Sequence, residues 1–369
     1  MPSIVIPAHN EERTLGRLLD RLLDGSSADE FDILVVCNGC TDATADVAAA
    51  RGPRVRVVET PVPSKHEALR LGDEHAHGFP RIYVDADVEL GAADVRALTG
   101  ALTGPDGVLA AAPERELPMT GCSWRVRAYY RVWQRLPAVR DGLFGRGVIA
   151  MSGEGHARVA ALPPLMADDL AASLAFGPAE RAVVPTARVV VRPPRTWADL
   201  IRRRVRAATS TAQLEDHQRR SAPAGSAAPA GAGGPGEAGA PAEVTRSAGP
   251  ADFAGVAGSA GSVPGAETAE VAGSVRGTET VEAAESVRPA QPFRAGVSAQ
   301  PPAPVGSTPS PSARTGLGDL RAILRAEPTL LPAMFVFLTA ALAARRGARR
   351  AIRKRDFDTW LRDESSRQD

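Results

Sequence analysis

At 369 residues the chain is long enough for one large domain or two ordinary ones. Forty-four Lys and Arg stand against 43 Asp and Glu, so no strong basic excess marks a dedicated nucleic-acid binder. Three cysteines, Cys37, Cys40 and Cys122, are too few and odd in number for a disulfide framework and fit a reducing compartment. Ala, Arg, Gly and Pro are abundant and Lys is rare, a composition typical of a high-GC bacterial genome. Met1-Pro2 leads straight into an apolar strand with no basic or long apolar leader, so the N-terminal part is expected in the cytoplasm.

Residues 3–110 alternate strand and helix patterns. Ile4-Val5-Ile6 reads as a strand closed by Pro7, and Asn10-Glu11-Glu12 as a helix start with Asn10 at the N-cap. Leu15, Leu18, Leu19, Leu22 and Leu23 then recur with the 3.6-residue period that buries one helical face. Asp32 to Val36 is a second strand, running into the turn Cys37-Asn38-Gly39-Cys40 and an Ala-rich helix over 43–51. Its Cys-x-x-Cys spacing also suits a redox pair, but the Asn-Gly centre reads better as a tight turn. Val55 to Glu59 is a third strand and Lys65 to Gly72 a helix. The rhythm predicts βαβ units and a mostly parallel sheet with right-handed crossovers.

The fourth strand carries the chemistry. Ile82-Tyr83-Val84 is short and apolar, and Asp85 and Asp87 follow where it ends. Ligands of open α/β sheets bind in the crevice beyond the carboxyl ends of the strands. Two carboxylates separated by one small residue suit a hard divalent cation shared with phosphate oxygens, although strand-end Asp pairs are also common surface features. Lys65, the single lysine before the linker, is either a solvated charge or a phosphate partner. His75 and His77 lack further ligands at zinc spacing and read as surface residues.

Residues 111–200 are less regular. A helix from Trp124 to Arg135 leads to Gly145-Arg146-Gly147 and the apolar run after it. Asp168-Asp169 either begins a helix, favoured there by the macrodipole, or supplies a general base. Strands are expected over 182–184 and 187–191, then a basic helix from Trp197 to Gln213. Its arginines at 202–206 form either a solvated face or a diphosphate clamp.

Residues 221–314 are dominated by Ala, Gly, Pro, Ser and Val without helical or strand period, and read as a disordered linker. Order resumes over 315–369. Leu317 to Ala326 is a helix, and 329–344 is an uncharged apolar run followed by seven basic residues up to Arg355. A full span needs roughly 20 apolar residues. This run is therefore either a core helix or a membrane-associated segment, with contact over 329–355 favoured by the trailing positive charge.

Taken together, Val5 to Glu12, Val35 to Asp42, Lys65 to Leu69, Val84 to Asp87 and Ala167 to Leu170 resemble, in order and spacing, a family 2 glycosyltransferase of the GT-A fold. The resemblance covers about residues 3–215. It implies a Rossmann-like, mostly parallel sheet flanked by helices over 1–215, a nucleotide-sugar donor, and inversion at the anomeric carbon. By position it puts Pro7, His9, Asn10 and Glu11 at the nucleoside, with Asn38 and Asp42 nearby. Asp85 would face the ribose or the metal, and Asp87 would ligate Mn²⁺ or Mg²⁺ bridging the diphosphate. Asp169, or its neighbour Asp168, would deprotonate an acceptor hydroxyl.

Two departures stand out. Cys37-Asn38-Gly39-Cys40 replaces the family's common Asp-Asp-Gly-Ser, which puts uridine as the base in question. The Gln-x-x-Arg-Trp motif of processive synthases is absent, which implies addition of one sugar. The acceptor is expected to be a hydroxyl or a lipid-linked (polyprenyl) phosphate at the inner face of the membrane. The competing readings are a catalytically inactive, membrane-associated scaffold and a sugar nucleotidyltransferase; the latter would want a Gly-rich basic loop where Pro7-Ala8-His9-Asn10 stands.

Overall fold

The computed structural model describes residues 1–105, 107–162, 168–221 and 316–353, without the side chains of 168–169 and 213–221. The described residues belong to one unit drawn from Met1–Ser226 and Gly306–Asp369. The linker expected over 221–314 lies, apart from Ser221, outside them.

In chain order the elements are β1 (Ser3–Ala8), α1 (Leu15–Leu23), β2 (Asp32–Asn38), α2 (Thr44–Ala49), β3 (Val55–Thr60), α3 (Lys65–His75), β4 (Arg81–Val84), β5 (Val88–Glu89) and α4 (Ala92–Thr103). There follow β6 (Ala110–Glu116), α5 (Trp124–Trp133), α6 (Pro137–Asp141), β7 (Val148–Met151), α7 (Gly153–Ala160), α8 (Asp168–Leu174), β8 (Arg181–Val191) and α9 (Trp197–Ser221). Two further helices, α10 (Leu317–Ala326) and α11 (Leu331–Arg353), complete the described chain.

One eight-stranded sheet is built in the order β3-β2-β1-β4-β7-β6-β8-β5. Strands β3, β2, β1, β4, β6 and β8 run one way, while β7 and β5 run against them. The sheet is therefore mostly parallel, as the alternating pattern requires. Strand alternation sorts the core onto two faces. Ile4, Ile6, Ile33 and Val35 pack with the leucines of α1 and with Val95 and Leu98 of α4, whereas Leu34 and Val36 pack under Ala68 of α3. Each of these fully buried aliphatic side chains contributes about 1.5–3 kcal/mol.

Several boundaries differ from the sequence reading. Pro7 does not close β1, because the ladder to β4 covers Ser3 to Val5 and asks nothing of a donor at position 7. Asn10 is not an N-cap. It adopts a left-handed φ of 52°, and α1 begins at Leu15 after Thr14. Asn is among the few residues that adopt this conformation readily. The two strands expected over 182–191 are one strand, β8, with a register irregularity opposite Pro113/Glu114.

Asp32 anchors the amino edge of the sheet. Its buried carboxylate accepts from the Ser3 hydroxyl at 2.8 Å, the His77 amide at 2.9 Å and the Arg56 guanidinium at 2.7 Å. Burial opposes the charge, but these donors outweigh it and hold the group below its usual range. A carboxylate with a lowered folded pKa contributes stability above its unfolded value near 4, and that contribution is lost as pH falls. Asp32→Asn is expected to cost about 2–4 kcal/mol at neutral pH, because charged partners are left unmatched. It should also flatten the acid limb of the stability curve. Denaturant titrations from pH 3 to 7 check this (roughly the window set by the carboxylate value); unchanged midpoints at pH 7 would refute it.

Candidate active site

The carboxyl ends of β1, β2 and β4 and the first turn of α3 meet at one edge of the sheet. Strand β4 ends at Val84, and Asp85-Ala86-Asp87 forms the turn that leads into β5. Lys65, the first residue of α3, places its Nζ 2.8 Å from Asp85 Oδ1, with both side chains partly exposed. The Ser64 hydroxyl caps this helix by accepting from the Glu67 amide at 3.3 Å, which fixes where Lys65 projects. Asp87 is half-buried two residues beyond.

A cavity of about 250 Å³ runs from this edge beneath α3 towards β7, α7 and α8. Pro7, Lys65 and Asp85 line its polar end, and Leu69, Ile149 and Met151 are among the apolar side chains lining the remainder. Asp168 and Asp169 open α8, whose Ala171 and Ala172 also line the cavity; the two carboxylates themselves lie outside the described side chains. On its far wall Tyr83 donates to Asp73 at 2.6 Å, and Asp73 pairs with Arg81 at 2.8 Å. Burial first, and then the Asp73 charge, raises the Tyr83 phenol well above its ordinary value.

The remaining expected residues form a second cluster, where the loops after β1 and β2 interlock. His9 Nδ1 lies 2.5 Å from the Asn38 carbonyl, and the Asn38 amide donates to the Ala8 carbonyl at 2.8 Å. Asn10 Oδ1 accepts from the Thr41 amide at 2.7 Å. The Asp42 carboxylate accepts from the Thr44 amide at 3.1 Å and the Glu12 amide at 3.3 Å. Glu11 is buried and accepts from the Thr14 hydroxyl at 2.7 Å. Much of the polarity expected to face a nucleoside is thus used in holding the loops together. Asn38 Oδ1 is buried without a hydrogen-bond partner among the described residues.

Gly39 makes the turn possible. Its φ is +56°, and a Cβ there would stand 2.7 Å from Pro63 Cβ. Burial first, with Cys40 and Glu59 nearby, pushes the Cys37 thiol up to about 12, so it is no nucleophile at neutral pH.

Sequence reasoning passed over the loop before β7. Gly147 accepts from the Asp85 amide at 2.7 Å and so fixes the acidic turn from behind. Arg146 is buried and donates to the carbonyls of Gly142, Pro113 and Arg140 at 3.0, 3.0 and 2.7 Å. Burial lowers its guanidinium to about 10, with Glu114 and Asp141 opposing. The Gly-Arg-Gly spacing was visible in the sequence, but its carbonyl partners are scattered over 33 positions. Of the α9 arginines, Arg202 pairs with Asp199 and Arg203 donates to the Arg192 carbonyl.

Helices on both faces of a mostly parallel sheet, with a paired-carboxylate turn at its carboxyl edge, define an α/β domain of the GT-A class. Residues 3–151 match the family model Glycosyl transferase family 2. Two curated relatives are undecaprenyl-phosphate 4-deoxy-4-formamido-L-arabinose transferases. The one from Edwardsiella ictaluri is 33% identical over 94 residues, 24% of this chain and 29% of the relative. The one from Shewanella sediminis is 35% identical over 94 residues, 24% of this chain and 28% of the relative. The matched stretch thus spans less than a third of either relative's length. Among solved structures, a mannosyltransferase from Pyrobaculum calidifontis in complex with GDP-Man and Mn²⁺ superimposes with a TM-score of 0.47 at 21% identity, covering 60% of this chain and 65% of that one.

Proposed function

We propose that the chain transfers a single sugar, with inversion, from a nucleotide-sugar donor to a hydroxyl or a lipid-linked phosphate. The observation that carries this reading is the 2.8 Å contact of Lys65 with Asp85, two residues before Asp87, at the carboxyl edge of the segment that matches the family 2 model and at the mouth of a largely apolar cavity. Lys65 would hold a phosphate of the donor, leaving Asp85 freer for the ribose or a cation. His9, Asn10, Glu11 and Asp42 would form the floor of the nucleoside site with Pro7. The unpaired Oδ1 of Asn38 is an acceptor left over for a base N–H.

The residues present fit a divalent cation of the Mn²⁺ or Mg²⁺ type. Among the described residues no three His, Cys, Asp or Glu gather as a self-sufficient metal site. Asp87 and Asp85 therefore suit an ion that takes its other oxygens from the donor diphosphate and water. When bound, such an ion supplies neutralisation of charge on the departing diphosphate.

The acceptor would enter along the cavity. Its apolar walls suit a lipid-linked acceptor and exclude bulk water from the anomeric carbon. With a hydroxyl acceptor, Asp169 or Asp168 would take the proton as the new C–O bond forms opposite the leaving diphosphate. The relatives named above are undecaprenyl-phosphate sugar transferases, which supports a lipid-phosphate acceptor here and a place at the membrane. The domain reading goes with this: residues 1–215 catalyse, 221–314 link, and 315–369 attach.

The self-satisfied hydrogen bonding of Asn10 and Asp42 is what an inactive scaffold would also show, and one experiment separates the two. Melting of the purified chain is followed with guanosine, uridine, cytidine and adenosine diphosphates, with and without Mn²⁺. One base should stabilise the fold by about 2.7 kcal/mol at a hundredfold excess over its Kd, and only with metal. No shift in any condition would overturn the transferase reading in favour of the scaffold.

A further inference from the structure

Helix α11 is long and apolar enough to cross a membrane, yet one of its faces is packed against protein. Ala333, Met334, Phe337 and Ala340 share a core with Val126, Tyr129 and Tyr130 of α5 and with Leu200 of α9. Phe337 stacks on Tyr129 with ring centroids 5.3 Å apart. Arg135, just beyond α5, pairs with Glu327 at 2.7 Å and pins the entry to the helix. The alternatives of core helix and membrane-associated segment thus resolve by face: the inner face is a core helix.

The outer face is not what a soluble surface helix presents. Leu331, Phe335, Leu338 and Leu342 are 62, 71, 40 and 52% exposed, and their spacing of four, three and four residues forms one stripe. The same stripe continues through Arg345, Arg346, Arg349 and Arg353. Arginines near a helix C-terminus are favoured by the macrodipole, but that does nothing for the exposed leucines and phenylalanine. Among the described residues Arg345, Arg346, Arg349 and Arg350 form no ion pair with a carboxylate.

From these observations we propose that the outer face of α11 is a peripheral docking surface for an anionic lipid bilayer. Leu331, Phe335, Leu338 and Leu342 enter the acyl boundary, and the arginines lie among the headgroup phosphates. The helix rests on the bilayer and does not cross it. Leu331 to Leu342 covers about 16 Å of helix, half of the roughly 30 Å of hydrocarbon in a bilayer. Lipid also cannot surround a helix whose inner face holds α5 and α9. A second copy of the chain fits less well. Parallel pairing sets arginine on arginine, and antiparallel pairing sets arginines on the leucines. This deepens the membrane location proposed above and is independent of the transfer chemistry.

The test is co-sedimentation of the full chain with vesicles of phosphatidylcholine alone or mixed with phosphatidylglycerol. Binding is expected only to the mixed vesicles and should weaken with salt. Each arginine near an anionic surface is worth about a fivefold change in partitioning, so Arg345→Ala/Arg346→Ala/Arg349→Ala should lose about a hundredfold. Phe335→Ser/Leu338→Ser should lose binding at least as strongly, with the melting temperature and nucleotide response of both variants unchanged. Equal binding to both vesicle types, or to neither, would overturn the proposal. So would a requirement for detergent to release the chain, which marks a span, or a dimer in light scattering that Phe335→Ser dissolves. Because nucleotide binding is read in the same samples, loss of lipid binding alone leaves the transferase reading standing.

Discussion

Asp87→Ala is expected to reduce kcat/KM for sugar transfer by about a thousandfold, or roughly 4 kcal/mol of transition-state stabilisation. The side chain lies at the turn beyond β4, where a cation held jointly with the donor diphosphate would sit, and alanine removes one of the two carboxylates of the Asp85-Ala86-Asp87 turn. The loss should appear in two independent readings. Titration calorimetry should show Mn²⁺ no longer strengthening nucleoside diphosphate binding, and the metal-dependent part of the thermal shift should vanish. Asp85→Ala should differ in kind, because it also releases Lys65 from its 2.8 Å contact. The freed ammonium can still hold a phosphate, so metal-independent nucleotide binding should survive better than in Asp87→Ala. Activity of Asp87→Ala within tenfold of the parent would remove Asp87 from the site.

Gly147→Ala should show the largest effect among residues that the sequence did not single out. Gly147 has φ +67°, a conformation that costs an alanine about 1–2 kcal/mol. A Cβ there would also stand 2.5 Å from Val88 Cγ1 and 3.3 Å from Asp85 Oδ2. Accommodating it means moving β5 or the acidic turn, at about 1–3 kcal/mol for an overpacked site. The expected destabilisation is therefore about 2–5 kcal/mol, read as a lower denaturant midpoint at unchanged slope. Because the Gly147 carbonyl holds the Asp85 amide, the carboxylate should shift with it. A displacement near 1 Å in a reacting constellation costs about a hundredfold in rate. If stability and rate both stay near the parent's, the loop before β7 does not position the acidic turn.

Local pattern alone made much of this protein legible. Strand and helix periods over residues 3–110 fixed the βαβ order and hence a mostly parallel sheet, because those signals come from neighbours in the chain. The strand-end place of Asp85 and Asp87 followed from the same pattern. Ranking Lys65 above an ordinary surface charge needed the resemblance as well, since its 2.8 Å contact to Asp85 spans 20 positions.

What sequence pattern does not show is where a side chain spends its bonding capacity on distant backbone. Asn10 reads as a helix cap, yet the amide it captures belongs to Thr41, 31 positions away. Asp42 and Asn38 each also bond to the neighbouring loop across 30 positions, a use that no local pattern shows. The Gly145-Arg146-Gly147 spacing was visible but its role was not, because burial and a left-handed backbone acquire meaning only once β4 and β7 lie side by side.

By itself, then, the sequence determined the class of fold, the strand-end place of Asp85 and Asp87, and the apolar run with trailing arginines in the C-terminal helix, all properties of residues a few positions apart. Only the tertiary structure decided which loop steadies Asp85, which polar groups remain for a ligand, and which face of α11 meets protein. Each of those depends on pairs far apart in the chain, and only packing of the whole chain brings such pairs into contact.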